Sequence, residues 1–214
     1  MIRDPESDRG GATVERAKLF RWGGYAAAVV LIVFGIATIA IGIVGKSTVE
    51  DELSQEKIVG SPDMSPEGIA PGIEEAKLTV DAPDCDVAEE PITNGSEARC
   101  FAQYMRIHAL ESSGGLTYAE MGRYVSSADP TDPAGTNDEA AAAKDESGKP
   151  VSNAARNTWV TETALSTALN MSYLATGVSI FSIVVGIALI LAGIGFLLLA
   201  HTAFRGSSPE ATSA

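Results

Sequence analysis

The chain is poor in the residues that build most catalytic sites. Among its 214 residues there are only two histidines and two cysteines. Histidine is the most frequent general base, and a nucleophile in a Ser-His-Asp constellation would have to share one of two histidines, His108 or His201. No phosphate-binding loop occurs, because Gly114 and Gly115 have the pattern of a helix stop. These absences disfavour most classes of enzyme.

Charge is missing from two long stretches. Residues 22–45 and residues 163–204, runs of 24 and 42, contain no aspartate, glutamate, lysine or arginine. A membrane-spanning helix needs about 20 apolar residues, and backbone in hydrocarbon must satisfy its hydrogen bonds within a helix. We therefore predict transmembrane helices at 22–45 and 173–200, the second being part of one continuous helix over 157–200. Uncharged spans argue against an ion or proton pathway within one chain.

The predicted fold class is mainly α: a two-helix transmembrane hairpin with a small α-helical, loop-rich exterior cap. Residues 1–21 form an N-terminal tail, unstructured over 1–15, and residues 201–214 form a C-terminal tail. Residues 46–172 form the exterior segment. A chain of this length has room for no more than one ordinary domain beside its spans.

Basic residues near the span ends predict the orientation. Arg16, Lys18 and Arg21 precede the first span and Arg205 follows the second. Lys46 is the only basic residue close behind the first span, and acidic residues follow it at 50–52. The positive-inside rule places both termini in the cytoplasm and residues 46–172 outside the cell membrane. The first span is longer than a signal-peptide core and lacks a cleavage site, so we interpret it as an uncleaved signal anchor.

Acidity is concentrated in the exterior segment. Residues 46–172 contain 9 lysine and arginine residues against 23 aspartate and glutamate residues, a net charge of −14. This field repels nucleic acid and would attract cations or a basic partner. The alternative, which we favour, is a solvated face that keeps the segment soluble. No nucleic-acid partner is expected.

Small residues recur on one face of each span and predict close helix packing. The two rows most simply face each other within one chain, in addition to their contact with the bilayer. The competing interpretation is contact with another membrane protein or with a second copy. The rows are Gly35, Thr38, Gly42 and Gly45 in the first span, and Ala175, Ser179, Ser182 and Gly186 in the second.

The exterior segment is expected to be short helices joined by loops. We predict helices over 49–58, 96–111 and 118–124, with the Asn94-Gly95-Ser96 sequence acting as an N-cap rather than a glycosylation acceptor. The proline-rich stretch 60–91 is predicted to be extended, with at most a short strand at 76–80. Residues 126–150 contain no large apolar side chain, so we predict a flexible loop, with a brief helix at 139–144.

The exterior core is expected to be small and helical. We predict that Trp159 or Leu165 packs against Phe101, Met105 or Tyr118, because the outer turns of the long helix need cover. The other expected core residues are Leu53, Ile58, Tyr104, Ile107, Leu110, Leu116, Met121, Tyr124, Val160 and Leu169.

Two exterior features point to specific chemistry. Cys85 and Cys100 both lie outside, where a disulfide is permitted. We predict that they are bonded and pin the proline-rich stretch onto the helix at 96–111, which would contribute roughly 3 kcal/mol. His108 shares a helix face with Phe101 and Met105, which favours a hydrogen-bonded packing histidine. A metal site of His108 with Glu111 or Glu120 would have too few ligands.

Three sequence blocks carry a family resemblance: VEDELSQEKI (49–58), HALESSGGLTYAEMGRY (108–124) and WVTETALSTALNMSYLA (159–175). They resemble a family of two-span actinobacterial membrane proteins that often carry the automatic label "aromatic ring-opening dioxygenase". The resemblance implies an envelope setting and a two-span topology, and it carries over no catalytic residue. The cysteine pair does not belong to the family pattern.

The chemistry of that label can be tested on the residues. Ring-opening non-haem iron enzymes hold iron with two histidines and a carboxylate, but a bilayer would separate His108 from His201. We therefore expect a non-catalytic accessory or structural subunit of an envelope complex, without a cofactor. The alternatives are a small metal-binding or dioxygenase-labelled enzyme centred on His108, and a sensor that would need a partner for its output.

Overall fold

The structure, a computed structural model, describes the backbone of residues 5–202 and the side chains of residues 18–202. Four helices form: α1 (Pro5–Glu56), α2 (Pro66–Glu75), α3 (Gly95–Ser112) and α4 (Ala154–Thr202). Within residues 5–202 there are isolated β-bridges but no strand. The mainly helical class and the uninterrupted long helix are thereby confirmed. Arg205, the side chain of Arg16 and most of the C-terminal tail lie outside the described residues.

The prediction that residues 1–15 are unstructured is wrong for residues 5–15. Helix α1 already begins at Pro5 rather than near residue 22, so residues 5–15 are helical. The predicted helix at 49–58 is the C-terminal end of α1, which stops at Glu56. Lys57 then adopts a left-handed conformation with φ of 53°, which ends the helix.

The chain divides into two compact units. Of the described residues, the paired-helix unit contains those up to Gly45 and from Val178 onward, and the middle unit runs from Lys46 to Gly177. Helices α1 and α4 each contain a stretch long and apolar enough to cross a membrane, with a mean hydropathy of 2.9.

In the paired-helix unit, glycines bring two antiparallel backbones into contact. A Cβ added at Gly35 would lie 2.7 Å from the carbonyl oxygen of Gly186, and one at Gly42 would lie 2.6 Å from that of Ser179. One heptad further along α4, a Cβ at Gly193 would lie 3.0 Å from the carbonyl oxygen of Ala28. This seven-residue spacing on both helices is typical of left-handed helix pairs.

The middle unit has a core built around α3. Leu165 is half-buried and packs against the cluster that contains Phe101, while Trp159 is 9% exposed and packs with Ala109 and Met121. This confirms that the outer turns of α4 are covered. The buried residues of the larger cluster are Leu53, Met64, Ile69, Val87, Ile92, Ala98, Cys100, Phe101, Ala102, Tyr104, Ile107 and Leu169.

Two predictions about the middle unit are corrected: part of its core, and the conformation of the proline-rich stretch. Tyr118 and Val160 are 43% and 51% exposed. Met64, Ile69, Val87 and Ile92, which come from the proline-rich stretch or its end, take core positions instead. That stretch contains α2 rather than a strand at 76–80: Ser65 caps it by accepting a hydrogen bond from Gly68 N–H, with Pro66 in the first turn.

Residues 113–153 form an ordered loop without helix. The predicted helices at 118–124 and 139–144 are wrong, because Tyr124 forms bridges with Thr136 and Ser152, and Ser126 forms one with Ala142. The flexible loop expected over 126–150 instead has a defined path, held by backbone hydrogen bonds and by aspartates that accept bonds within turns. Such bonds, chiefly from Lys149 N–H, hold the pKa of Asp145 below its usual value.

Candidate functional site

The disulfide predicted between Cys85 and Cys100 is present, with the two Cα atoms 6.1 Å apart. It ties the proline-rich stretch to α3, whose start is capped by Asn94 and Glu97 in a reciprocal capping box. One turn after Cys100, the buried Tyr104 hydroxyl donates a 2.5 Å hydrogen bond to the Cys85 carbonyl oxygen. Burial and then nearby carboxylates raise the pKa of Tyr104, so its hydroxyl is kept protonated as a donor.

A buried carboxylate lies at the contact of α3 and α4. The Glu162 side chain is only 2% exposed, and Arg106 Nη1 donates to its Oε2 at 3.1 Å. Ser166 Oγ donates to the other oxygen, Oε1, at 2.5 Å. The Arg106 guanidinium also lies 4.7 Å from the centroid of the Trp159 ring. Both carboxylate oxygens are thus occupied, which suits a structural ion pair.

Arginine–aromatic stacking recurs throughout the middle unit. Each of its four arginines lies over an aromatic ring, at 4.0–5.6 Å from the ring centroid. Three of these pairs include a residue of α4. The stacking therefore ties the other segments to this helix. The pairs are Arg99 with Tyr173, Arg106 with Trp159, Arg123 with Tyr124, and Arg156 with Tyr118.

His108 is held by Asp63 rather than by Glu111 or Glu120. Its Nε2 lies 3.1 Å from Asp63 Oδ2, as expected for a hydrogen-bonded packing histidine. A hydrogen bond from Ser61 and the charge of His108 hold the pKa of Asp63 below its usual value, although partial burial acts in the opposite direction. Among the described residues no three His, Cys, Asp or Glu side chains are grouped as metal ligands.

A cleft of about 480 Å³ with a mixed polar and apolar lining lies between α3, the turn of α4 that contains Ser166 and Asn170, and residues 80–84. Arg106, Asp81 and Asp84 also line it. The Arg106 guanidinium and the Ser166 hydroxyl both donate to the buried Glu162 carboxylate. The cleft therefore presents charges of both signs, and its serine hydroxyl is paired with an ion-paired carboxylate.

The middle unit also contains an open apolar groove of about 590 Å³. Its floor includes the buried Leu53 and Leu169, and Met171, 55% exposed, lies on its lip. We call this cavity the apolar groove. It is lined by Thr48, Val49, Glu52, Leu53 and Glu56 at the end of α1, by Ile58 just after it, and by Leu165, Ala168, Leu169, Met171, Ser172 and Ala175 of α4.

The two predicted rows of small residues meet at several positions. Gly35, Gly42, Gly45, Ser179 and Gly186 lie in the contact of the paired-helix unit. Thr38 and Ser182 are half-buried and donate hydrogen bonds to carbonyl oxygens of their own helices, and Ala175 lines the apolar groove. A packing role for these three residues stays a prediction.

Sequence reasoning missed two of these features, the apolar groove and the buried Glu162 pair. Glu162 is the last charged residue before the 42-residue uncharged run, and Ser166 follows it by one helical turn. That spacing was the available signal for a buried, locally bonded carboxylate. Comparison with protein-family models, with curated proteins and with solved structures finds no match to this chain.

Proposed function

We propose that this chain is a two-span protein of the cell membrane whose middle unit serves as a non-catalytic accessory or structural subunit of an envelope complex. The apolar groove carries the proposal. Soluble surfaces rarely leave a large apolar concavity open, and such concavities are the usual places where ligands or partner helices bind. The resemblance of the three sequence blocks to two-span envelope proteins is part of the same proposal.

The polar groups of the unit support a binding role over a catalytic one. His108 is engaged by Asp63, and Glu162 is engaged by Arg106 and Ser166. A general base must reach a nucleophile or a substrate proton within hydrogen-bond distance. Here His108 and Glu162 are each hydrogen-bonded to other side chains of the middle unit.

The membrane topology of the proposal places both termini in the cytoplasm. A single cysteine introduced at Ala134 should react with an impermeant maleimide in intact cells, whereas one at Ala211 should react only after lysis. Cys85 and Cys100 are bonded to each other, so they do not compete for the reagent. If only the Ala211 variant were labelled in intact cells, the orientation would be the opposite of the proposed one.

The binding role predicts a stable assembly. The full chain is tagged, produced at its native level and extracted in mild detergent. Native mass spectrometry should then show an envelope protein bound to it in a fixed ratio. A chain that is monomeric under these conditions, and also after cross-linking in intact cells before extraction, would refute the proposal.

The alternative function is a metal site or an enzyme centred on His108. The observation in its favour is a cavity of about 380 Å³ lined by His108, Asn157, Thr161 and Glu162. Metal analysis of the purified chain separates the two functions. A stoichiometric metal that is lost in His108→Ala, but kept in the control Thr161→Ala, would establish the alternative.

A further inference from the structure

The apolar groove has a one-sided charge distribution. Its α1 wall carries two carboxylates, Glu52 and Glu56, which are exposed and form no ion pair among the described residues. Its α4 wall belongs to the run from 163 to 204 that contains no charged residue. The lining therefore combines an apolar floor with an acidic rim and no basic side chain.

We infer that the apolar groove receives an amphipathic helix of a partner protein, with its apolar face on Leu53 and Leu169 and its basic residues against Glu52 and Glu56. This inference rests on the proposed function. Glu52 and Glu56 are four residues apart and therefore lie on the same face of α1. Lysine or arginine residues spaced three or four apart on a helix would match them, in the helix-in-groove mode of recognition.

Charge also decides against the other occupants. A second copy of this chain would present the same acidic surface, since residues 46–172 carry a net charge of −14. An anionic lipid would bring its head group against the two carboxylates. A basic helix meets both requirements of the groove, because it supplies an apolar face and the opposite charge.

The length of the groove suits a short helix. Its α1 wall extends over residues 48–56, which at 1.5 Å per residue corresponds to about 12 Å. About two helical turns cover that length and present apolar anchors at i, i+3, i+4 and i+7. The exposed Met171 on the lip is flexible and polarizable, a property common at surfaces that accept partner helices.

Photo-cross-linking of the full chain in lipid nanodiscs tests the inference. Benzoylphenylalanine replaces Met171, and the probes are two synthetic helical peptides with the same leucine face and either lysine or glutamate at the flanking positions. Benzoylphenylalanine at Ala140 is the control for general attraction, because Ala140 is exposed beside Asp138 and Glu139. Ala168→Trp fills the groove, and Thr167→Trp on the exposed face of α4 is its control.

The lysine peptide should cross-link at residue 171 about fivefold more than the glutamate peptide, the factor that two partly screened ion pairs supply. Replacing Glu52 and Glu56 together with glutamine should remove that preference, and Ala168→Trp should abolish the product while Thr167→Trp retains it. Raising the salt concentration should weaken the preference.

Three results would overturn the inference: equal yields with both peptides, equal yields of the lysine peptide at residues 171 and 140, or a product at residue 171 that contains lipid instead of peptide. If these occur while the chain still retains an envelope protein in native mass spectrometry, the proposed binding role survives and only the groove and its basic helix are refuted. A monomeric chain would refute the proposed function itself.

Discussion

Truncating Leu169 tests whether the outer turns of α4 carry the core of the middle unit. The Leu169 side chain is 2% exposed and belongs to the cluster around α3. Leu169→Ala removes buried methyl groups and leaves a cavity, so we expect the free energy of unfolding to fall by about 3 kcal/mol. Leu174→Ala is the matched control, because Leu174 is on the same helix but 54% exposed. We expect its effect to stay within about 0.5 kcal/mol.

Tryptophan fluorescence provides the assay. The chain contains two tryptophans, and Trp22→Phe leaves Trp159 as the only reporter. Trp159 is 9% exposed and stacked against Arg106, so its emission should shift to the red when the unit unfolds in urea. With a urea dependence of about 1.5–2 kcal/mol per molar, a loss of 3 kcal/mol lowers the midpoint by about 1.5–2 M.

The spans give the assay an internal check. The apolar runs of α1 and α4 should keep their helical circular dichroism in nanodiscs in both variants, since alanine is a strong helix former and each variant changes one residue of α4. Equal midpoints for Leu169→Ala and Leu174→Ala would refute the assignment of the core. Loss of helix signal from the spans would show that the unit does not unfold separately.

Reducing the bond between Cys85 and Cys100 should destabilise the middle unit by roughly 3 kcal/mol, measured as a lower urea midpoint in dithiothreitol, and an unchanged midpoint would contradict a stabilising role. A Cβ added at Gly186 would lie 2.6 Å from the carbonyl oxygen of Gly35, so Gly186→Leu should destabilise the helix pair by about 1–3 kcal/mol. Gly195→Leu should not, because nothing lies within 4 Å of a Cβ added there. Thermal melting of the helix pair in detergent distinguishes the two variants. The lowered pKa of Asp63 contributes stability that is present above its ordinary value of 3.8 and is lost as the pH falls through the folded value. Asp63→Asn should therefore flatten the loss of stability below about pH 4, and an identical acid transition in the variant would contradict this account.

Several features could be predicted because their physical cause is local in the sequence. An uncharged run longer than a bilayer must be helical where it crosses hydrocarbon, which is why α4 was expected without a break. The N-cap at Asn94 depends on residues within one turn. The disulfide could be predicted because the chain contains only one possible pair of cysteines. Spacing in α1 likewise placed Gly35 and Gly42 on one face.

Other features depend on residues far apart in the chain, and local patterns predicted them poorly. Ile69 and Val87 are buried because the disulfide ties the proline-rich stretch to α3. Backbone bonds within the stretch, such as Val87 N–H to Met64 C=O, fold it on itself. The loop over 126–150 lacks apolar side chains, so its order comes from hydrogen bonds between its own distant segments and with Val125 and Val151.

The candidate site was decided almost wholly by tertiary structure. Sequence indicated that His108 would be hydrogen-bonded, but its partner Asp63 lies 45 residues away. Glu162 is 56 residues from Arg106, and the apolar groove needs both the end of α1 and the outer turns of α4. Hydrophobic length and helix capping act over one segment and can be predicted from it. Ion pairing and concave surfaces require two segments to meet, which only the folded chain determines.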